Sequence, residues 1–385
     1  MSTASQGFPS MTRISQIMAF ALLCCLAPDL SRLNAQNAEP AANVKDPRIG
    51  SRIMITTAGA ELRTPASTVW RGYIGEVFTV TVTNGEWLWI DEKGGWLWEQ
   101  ECTPFATAIE TLTQRVNKQK SAENYHLRGV AYLAHGQFDN AIADFTESLR
   151  QQPRNAGALN NRGQARYMKG DYQAAVQDFS AAVAIDEKNS LALNNRALAH
   201  IALRDFPKAL NDLNAALKLV PDYPEALNNR GIVKQQLGKP DDAIADYTVA
   251  LKVDPKCIDA LSNRALAHLQ KNDLAKAIAD LEEAMRIAPR AYEAENDLAW
   301  LLATTKVDSF RDRERSLVLA KHACEVTGYK QWNTLDTLAA AHAENSQFAD
   351  ARQWIGTALE LAPEAEKPRL QAHLDLILAE KPVRD

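Results

Sequence analysis

Asparagine pairs recur along this chain at Asn160-Asn161, Asn194-Asn195 and Asn228-Asn229, and Ser262-Asn263 continues the series at the same spacing. Helix interiors disfavour asparagine, whose side chain competes for backbone hydrogen bonds, so repeated pairs need a reason. A side-chain amide carries both a donor and an acceptor, as a peptide unit does, and each bond it makes contributes on the order of 1 kcal/mol. Columns of amides therefore suit two jobs, holding an extended backbone or tying one helix to the next. Tyr167, Leu198, Ile232 and Leu266 lie further along the same segments. Apolar residues at helical spacing fill a core more often than they hold a ligand's side chains, so both uses stay open.

A second series is charged. Arg128, Arg162, Arg196, Arg230 and Arg264 are each followed sixteen residues later by an aspartate: Asp144, Asp178, Asp212, Asp246 and Asp280. Antiparallel helices would bring each arginine to its aspartate. A partly buried pair that fixes helix register is then a simpler reading than an anion site. No phosphate-binding glycine loop, nucleophile elbow or histidine pair at metal spacing is present, so the expectation is no enzyme, no cofactor and no metal. His200, His268 and His342 share a column that holds Tyr132, Arg166 or Lys234 elsewhere, which reads as packing. Cys102, Cys257 and Cys324 are too far apart for a disulfide framework or a metal set.

The 385 residues exceed one ordinary core, and a formal net charge of -5 lacks the basic surplus that phosphate neutralisation needs. No nucleic-acid partner is expected. Residues 1–35 read as a signal peptide, with Arg13, an apolar core from Ile17 to Leu26 and a cleavage site at Leu33-Asn34-Ala35. That core is too short to span a bilayer, so the mature chain should have no stable membrane span and be exported, periplasmic or extracellular. Residues 36–49 read as a linker.

The elements that position the two series form a repeat. Gly129, Gly163, Ala197, Gly231 and Ala265 make one small-residue column, and Ala141, Ala175, Ala209, Ala243 and Ala277 a second. Phe145, Phe179, Leu213, Tyr247 and Leu281 make a large one. A period of about 34 residues with small residues at fixed points is the mark of helix pairs stacking on one another. Gly136, Gly170 and Gly238, with Asn272 and Arg204 in their place elsewhere, mark left-handed turns between paired helices. Residues 122–290 hold five regular units, 291–331 an irregular one with a longer polar loop, and 332–365 a further unit. Residues 366–385 form a closing helix and tail, and 104–121 a capping helix before the array.

Units starting near Ala122, Ala156, Ser190, Pro224 and Ile258 resemble tetratricopeptide repeats in nearly every column. The resemblance implies a mostly α, right-handed helical-hairpin solenoid whose first helices line an inner groove. It further implies that asparagines at the places of Asn161, Asn195, Asn229 and Asn263 hold a peptide backbone. The expected function is an exported scaffold that binds a peptide segment of a partner protein.

From 50 to 101 the pattern is that of strands. Phe78, Val80 and Val82 alternate with threonines, and Asn84-Gly85 is a hairpin signal that would pair Val82 with Trp87 and Val80 with Trp89. Both indoles would then share the face of Phe78. A meander this short implies a small β-barrel. With Thr56 to Leu62, Asn84 to Ile90 and Gly94 to Trp98, it resembles the bacterial Src homology 3-like domains of exported proteins, which implies a peptide or cell-wall ligand. Trp87, Trp89, Trp96 and Trp98 either line such a ligand surface or fill the barrel. Two further functions stay open: a cell-wall-associated adaptor whose barrel binds envelope polymer, and a non-catalytic regulatory subunit of an enzyme assembly.

Overall fold

The computed structural model describes residues 48–56, 60–64, 68–71, 77–91, 93–289 and 291–384. The expected signal peptide lies outside them, as does the linker up to residue 47. Contacts divide the chain into two compact units that meet in sequence between Leu219 and Val220.

The first unit opens with short strands: β1 (Arg52–Ile55), β2 (Glu61–Arg63), β3 (Thr68–Arg71), β4 (Val77–Thr79), β5 (Val82–Asn84), β6 (Trp87–Ile90), β7 (Gly95–Trp98) and β8 (Cys102–Pro104). They form two antiparallel sheets, ordered β4-β1-β8 and β3-β2-β7-β6-β5, and β8 carries the strands past Glu101. Ile53, Ile55, Leu62, Phe78, Val80, Leu88, Ile90 and Leu97 fill the space between. The hairpin departs from the expected register: Val82 pairs with Trp89 and Asn84 with Trp87, so Gly85-Glu86 makes the turn. The reason is that the stretch before it is two strands, not one. The Val80 amide still bonds to Ser51 of the first sheet, whereas the Thr81 amide already bonds to Trp89 of the second. Changing sheets there breaks the alternation, and a one-residue slip exchanges the faces of a strand. Leu88 and Ile90 therefore join Phe78, and the four tryptophans stand on the outer face.

After a short 3-10 turn, helix α1 (Ala108–Lys118) caps the array as expected. Its Ala108 and Leu112 share one cluster with Met54 of β1 and with Leu127 and Ala131 of α2 (Ala122–Ala134). The hairpins follow as α2 with α3 (Phe138–Gln151), α4 (Ala156–Met168) with α5 (Tyr172–Ile185), and α6 (Ser190–Ala202) with α7 (Phe206–Leu219).

The second unit continues with α8 (Pro224–Gln236) and α9 (Pro240–Val253), then α10 (Ile258–Gln270) and α11 (Leu274–Ile287). The irregular pair is α12 (Tyr292–Thr304) and α13 (Arg313–Val326). It is followed by α14 (Trp332–Glu344) and α15 (Phe348–Leu361), and the array closes with α16 (Lys367–Leu378). The longer loop of the irregular pair is held rather than loose. Buried Glu344 pairs with Arg311 at 3.5 Å, Arg313 at 3.3 Å and Arg384, which ties loop and C-terminal tail to one carboxylate.

Two columns explain how each hairpin closes. A Cβ added at Gly129, Gly163 or Gly231 would lie 2.8, 2.7 and 2.4 Å from ring carbons of Phe145, Phe179 and Tyr247. Where the small residue is Ala197 or Ala265, the large one sixteen residues on is Leu213 or Leu281, and all four are buried. A glycine thus goes with an aromatic ring and an alanine with a leucine, which keeps the volume of the pair nearly constant. The turns between helices use the left-handed region at Gly170 (φ 86°) and, against its steric cost, at Arg204 (φ 59°).

The charged series closes the same hairpins. In all five units the arginine Nε and Nη2 meet both carboxylate oxygens of the aspartate at 2.6 to 2.9 Å. The third nitrogen reaches back to the preceding hairpin: Arg162 Nη1 donates to Thr146, Arg196 Nη1 to Ser180 and Arg264 Nη1 to Thr248, at 3.1 to 3.3 Å. That hydroxyl column, sixteen residues before each arginine, is a signal the sequence reading passed over.

Gly163→Ala is expected to cost about 1–3 kcal/mol by overpacking against Phe179. Adding Phe179→Leu should recover most of the loss in urea denaturation, because it recreates the pairing of the third and fifth units. Arg196→Ala and Asp212→Ala should each cost about 3–5 kcal/mol, and together clearly less than the sum. Additive losses in that cycle would show that the two side chains do not act as a pair.

Candidate functional site

The asparagine columns lie on the first helices of the hairpins. Asn195 Nδ2 donates to Asn160 Oδ1 at 3.0 Å, from α6 back to α4, and Asn263 Nδ2 donates to Asn228 Oδ1 at 3.0 Å, from α10 back to α8. At the start of the series Asn161 Nδ2 stands 3.5 Å from Nε2 of His126, which replaces the asparagine pair in the first hairpin. Burial pushes His126 down to about 4, so its ring is neutral and accepts. Asn160, Asn194, Asn195, Asn228, Asn229 and Asn263 are buried, and Asn161 is half-buried. Tying helix to helix is therefore what these amides do in the free chain. An amide has two N–H donors and two lone pairs, so one ladder bond per partner leaves capacity for a second.

Among the apolar residues singled out with them, Tyr167 and Ile232 are buried and Leu198 and Leu266 half-buried. Tyr167, Asn195 and Leu198 come together with Gln164 and Phe179 around a notch of about 10 Å³, room for little more than one water. Gln164 is the member the sequence reading missed; it lies one turn after Asn160 on α4. Tyr167 leans on Tyr172 at 5.2 Å, and burial raises its hydroxyl to about 12, so it stays a neutral donor.

The charges of these helices turn the other way. Arg166 and Lys234 give Asp178 and Asp246 a second cation, each at 2.7 Å. His200 and His268 fill that place in the third and fifth hairpins, where burial lowers their pKa although Asp212 and Asp280 oppose it. His322 bonds to Glu295 at 2.7 Å while Cys324 is buried in the core, so the two do face different sides. Burial also raises the thiols, Cys102 and Cys257 to about 12 and Cys324 to about 11, which keeps them protonated and poorly nucleophilic. Among the described residues no group of three or more His, Cys, Asp or Glu is placed to hold a metal ion.

The second surface is the outer face of the β-rich region. Trp87 pairs across the strands with Trp98, and Trp89 with Trp96. Trp89 and Trp96 meet edge to face with centroids 5.2 Å apart. Trp87 and Trp98 are 36% and 37% exposed. The indole N–H of Trp89 donates to Asp91 at 2.5 Å and that of Trp98 to Glu86 at 3.1 Å, which fixes the rings.

Asn263→Ala should cost about 1–3 kcal/mol in urea denaturation, because Asn228 Oδ1 is left buried without its donor. Asn161→Ala, which removes a longer and less buried contact, should cost less.

Residues 126–190 and 229–292 match the family model described as Tetratricopeptide repeat, and residues 201–238 one described as TPR repeat. No curated protein matches the chain. Among solved structures it is similar to a tetratricopeptide repeat protein from Parabacteroides merdae, at 21% identity and a TM-score of 0.52 over 67% of this chain and 99% of that one. It is also similar to the APC/C hetero-tetramer Cut9-Hcn1, at 16% identity and a TM-score of 0.54 over 62% of this chain and 46% of that one. Yeast Tom70 matches at 15% identity and a TM-score of 0.53 over 72% of this chain and 59% of that one. At such identities the likeness is one of fold. The chain is mostly helical, and its hairpins, which follow a small β-rich region, are tetratricopeptide repeats.

Proposed function

We propose that this protein is a non-catalytic interaction scaffold that captures an extended peptide segment of a partner along its first helices. One observation carries the reading. The repeated arginines of those helices are committed to aspartates on the second helices, and the remaining face is built of pre-set amides with Leu198 and Leu266 half-exposed between them. A face already ordered in the free chain binds with little further loss of side-chain entropy. The amides would use their second donors and lone pairs on the peptide backbone, and the leucines would meet apolar side chains.

Export belongs to the same reading and rests on the N-terminal signal pattern. Among the described residues no helix is long and apolar enough to cross a membrane. The exposed tryptophan face of the β-rich region supports a second reading, an envelope-associated adaptor that holds polymer or peptide on Trp87 and Trp98 while the hairpins recruit a protein. The Src homology 3-like resemblance belongs to that reading.

Peptides selected from a random displayed library on the full chain should bind the first-helix face. Gln164→Ala with Leu198→Ser should weaken them about tenfold or more, a loss of roughly 1.4 kcal/mol, with the circular dichroism spectrum unchanged. Undiminished binding by that variant, or a selection that yields no binder, would reject peptide capture.

A further inference from the structure

In the second unit the helices α8, α10 and α12 each carry an acid as their second residue: Glu225, Asp259 and Glu293. These positions form one physical column. The charge acting most on Asp259 is Glu293, the one acting on Glu293 is Asp297, and Glu225 and Asp259 both act on the Cys257 thiol. Burial raises the carboxyls of Asp259 and Glu293, and their acidic neighbours raise them further. The basic residues of the same helices are occupied elsewhere. Arg230 and Lys234 hold Asp246, Arg264 holds Asp280, and α12 contains no lysine or arginine.

A second, independent feature lies on the same turn of α12. Asn296 is 2% exposed, and its Oδ1 has no hydrogen-bond partner. The corresponding oxygen of Asn228 takes the amide N–H of Asn263, but α14 carries Thr337 in the donor's place, and that hydroxyl is spent on Asn333 O at 3.1 Å. The amide series thus ends on a buried, open acceptor between Glu293 and Asp297 in sequence. Asp259, Glu293 and Asn296 Oδ1 are acceptors, and a lysine ammonium or arginine guanidinium is donor only. The nearby Asp336 and Glu344 are met by His373 and by Arg384, so the lack of a cation is confined to this column.

Resting on the peptide-capture reading, we infer that the segment taken by the second unit is basic, with lysine or arginine side chains set against Asp259, Glu293 and Asn296. Half-exposed Leu266 and the adjoining Ile232 supply apolar contact beside the charges. Bringing a cation to acids that are already partly desolvated gains more than the same pairing on an open surface, and it relieves a repulsion present in the free chain.

The test uses the full chain and three labelled extended peptides of equal length, identical except for lysine, serine or glutamate at the same places. The lysine peptide should bind about tenfold tighter than the serine peptide, the glutamate peptide should bind most weakly, and added salt should erode the difference. Asp259→Asn with Glu293→Gln should bring the lysine peptide down to the affinity of the serine peptide and leave the latter unchanged. The same variant should raise the melting temperature of the free protein at neutral pH, since it removes buried like charges. Equal binding of the lysine and serine peptides, or a double variant that keeps the preference, overturns the basic-partner inference alone. A fall in melting temperature would show that cations of this chain already hold the acids, and it overturns the inference as well. Binding of none of the three overturns peptide capture and this inference with it.

Discussion

The bidentate contact between each first-helix arginine and the aspartate sixteen residues on is the constraint the hairpins depend on. The aspartates are buried, and a buried carboxylate without a matched cation is strongly destabilising, so the helix pair has one register in which both charges are satisfied. Within that register the small-residue column comes under the aromatic or leucine column, and glycine is required wherever the ring is aromatic. The third guanidinium nitrogen extends the restraint to the hairpin before. One residue type thereby sets both the closure of a unit and its place on its neighbour.

That use of the arginines has a consequence for binding. Charges that would otherwise lie on the first-helix face are turned toward the second helices, and Arg166 and Lys234 follow the same direction. What remains is a row of amides bonded helix to helix, with leucines between. A face that is neutral and ordered before any partner arrives discriminates by shape and by backbone hydrogen bonding. The second unit differs, because its acidic column adds charge to the same geometry and its amide series stops at Asn296.

Much of the architecture was legible from spacing. The Arg/Asp columns, the left-handed turns at Gly170 and Arg204, and the helix Tyr292–Thr304 with its loop are reported by periodicity, because each hairpin repeats the same local problem. The tryptophans were not legible in this way. Their face depends on where the chain changes from one sheet to the other, at Val80 and Thr81, and two short strands run together in sequence look like one. Gln164 was missed for a related reason, since nothing in its own spacing shows that it closes a notch with Asn195 of the next hairpin.

The sequence by itself determined the repeat, its period, the pairing of arginine with aspartate and the class of fold, because these follow from residue types recurring at intervals that a helix converts into faces. Only the tertiary structure decided what the asparagines do in the free chain. Whether an amide faces solvent or the neighbouring helix depends on how closely successive first helices approach, and the 3.0 Å bonds of Asn195 to Asn160 and of Asn263 to Asn228 place it between helices. It likewise decided that Glu225, Asp259 and Glu293 form one column and that Asn296 ends the series open, since both depend on which first helix comes next.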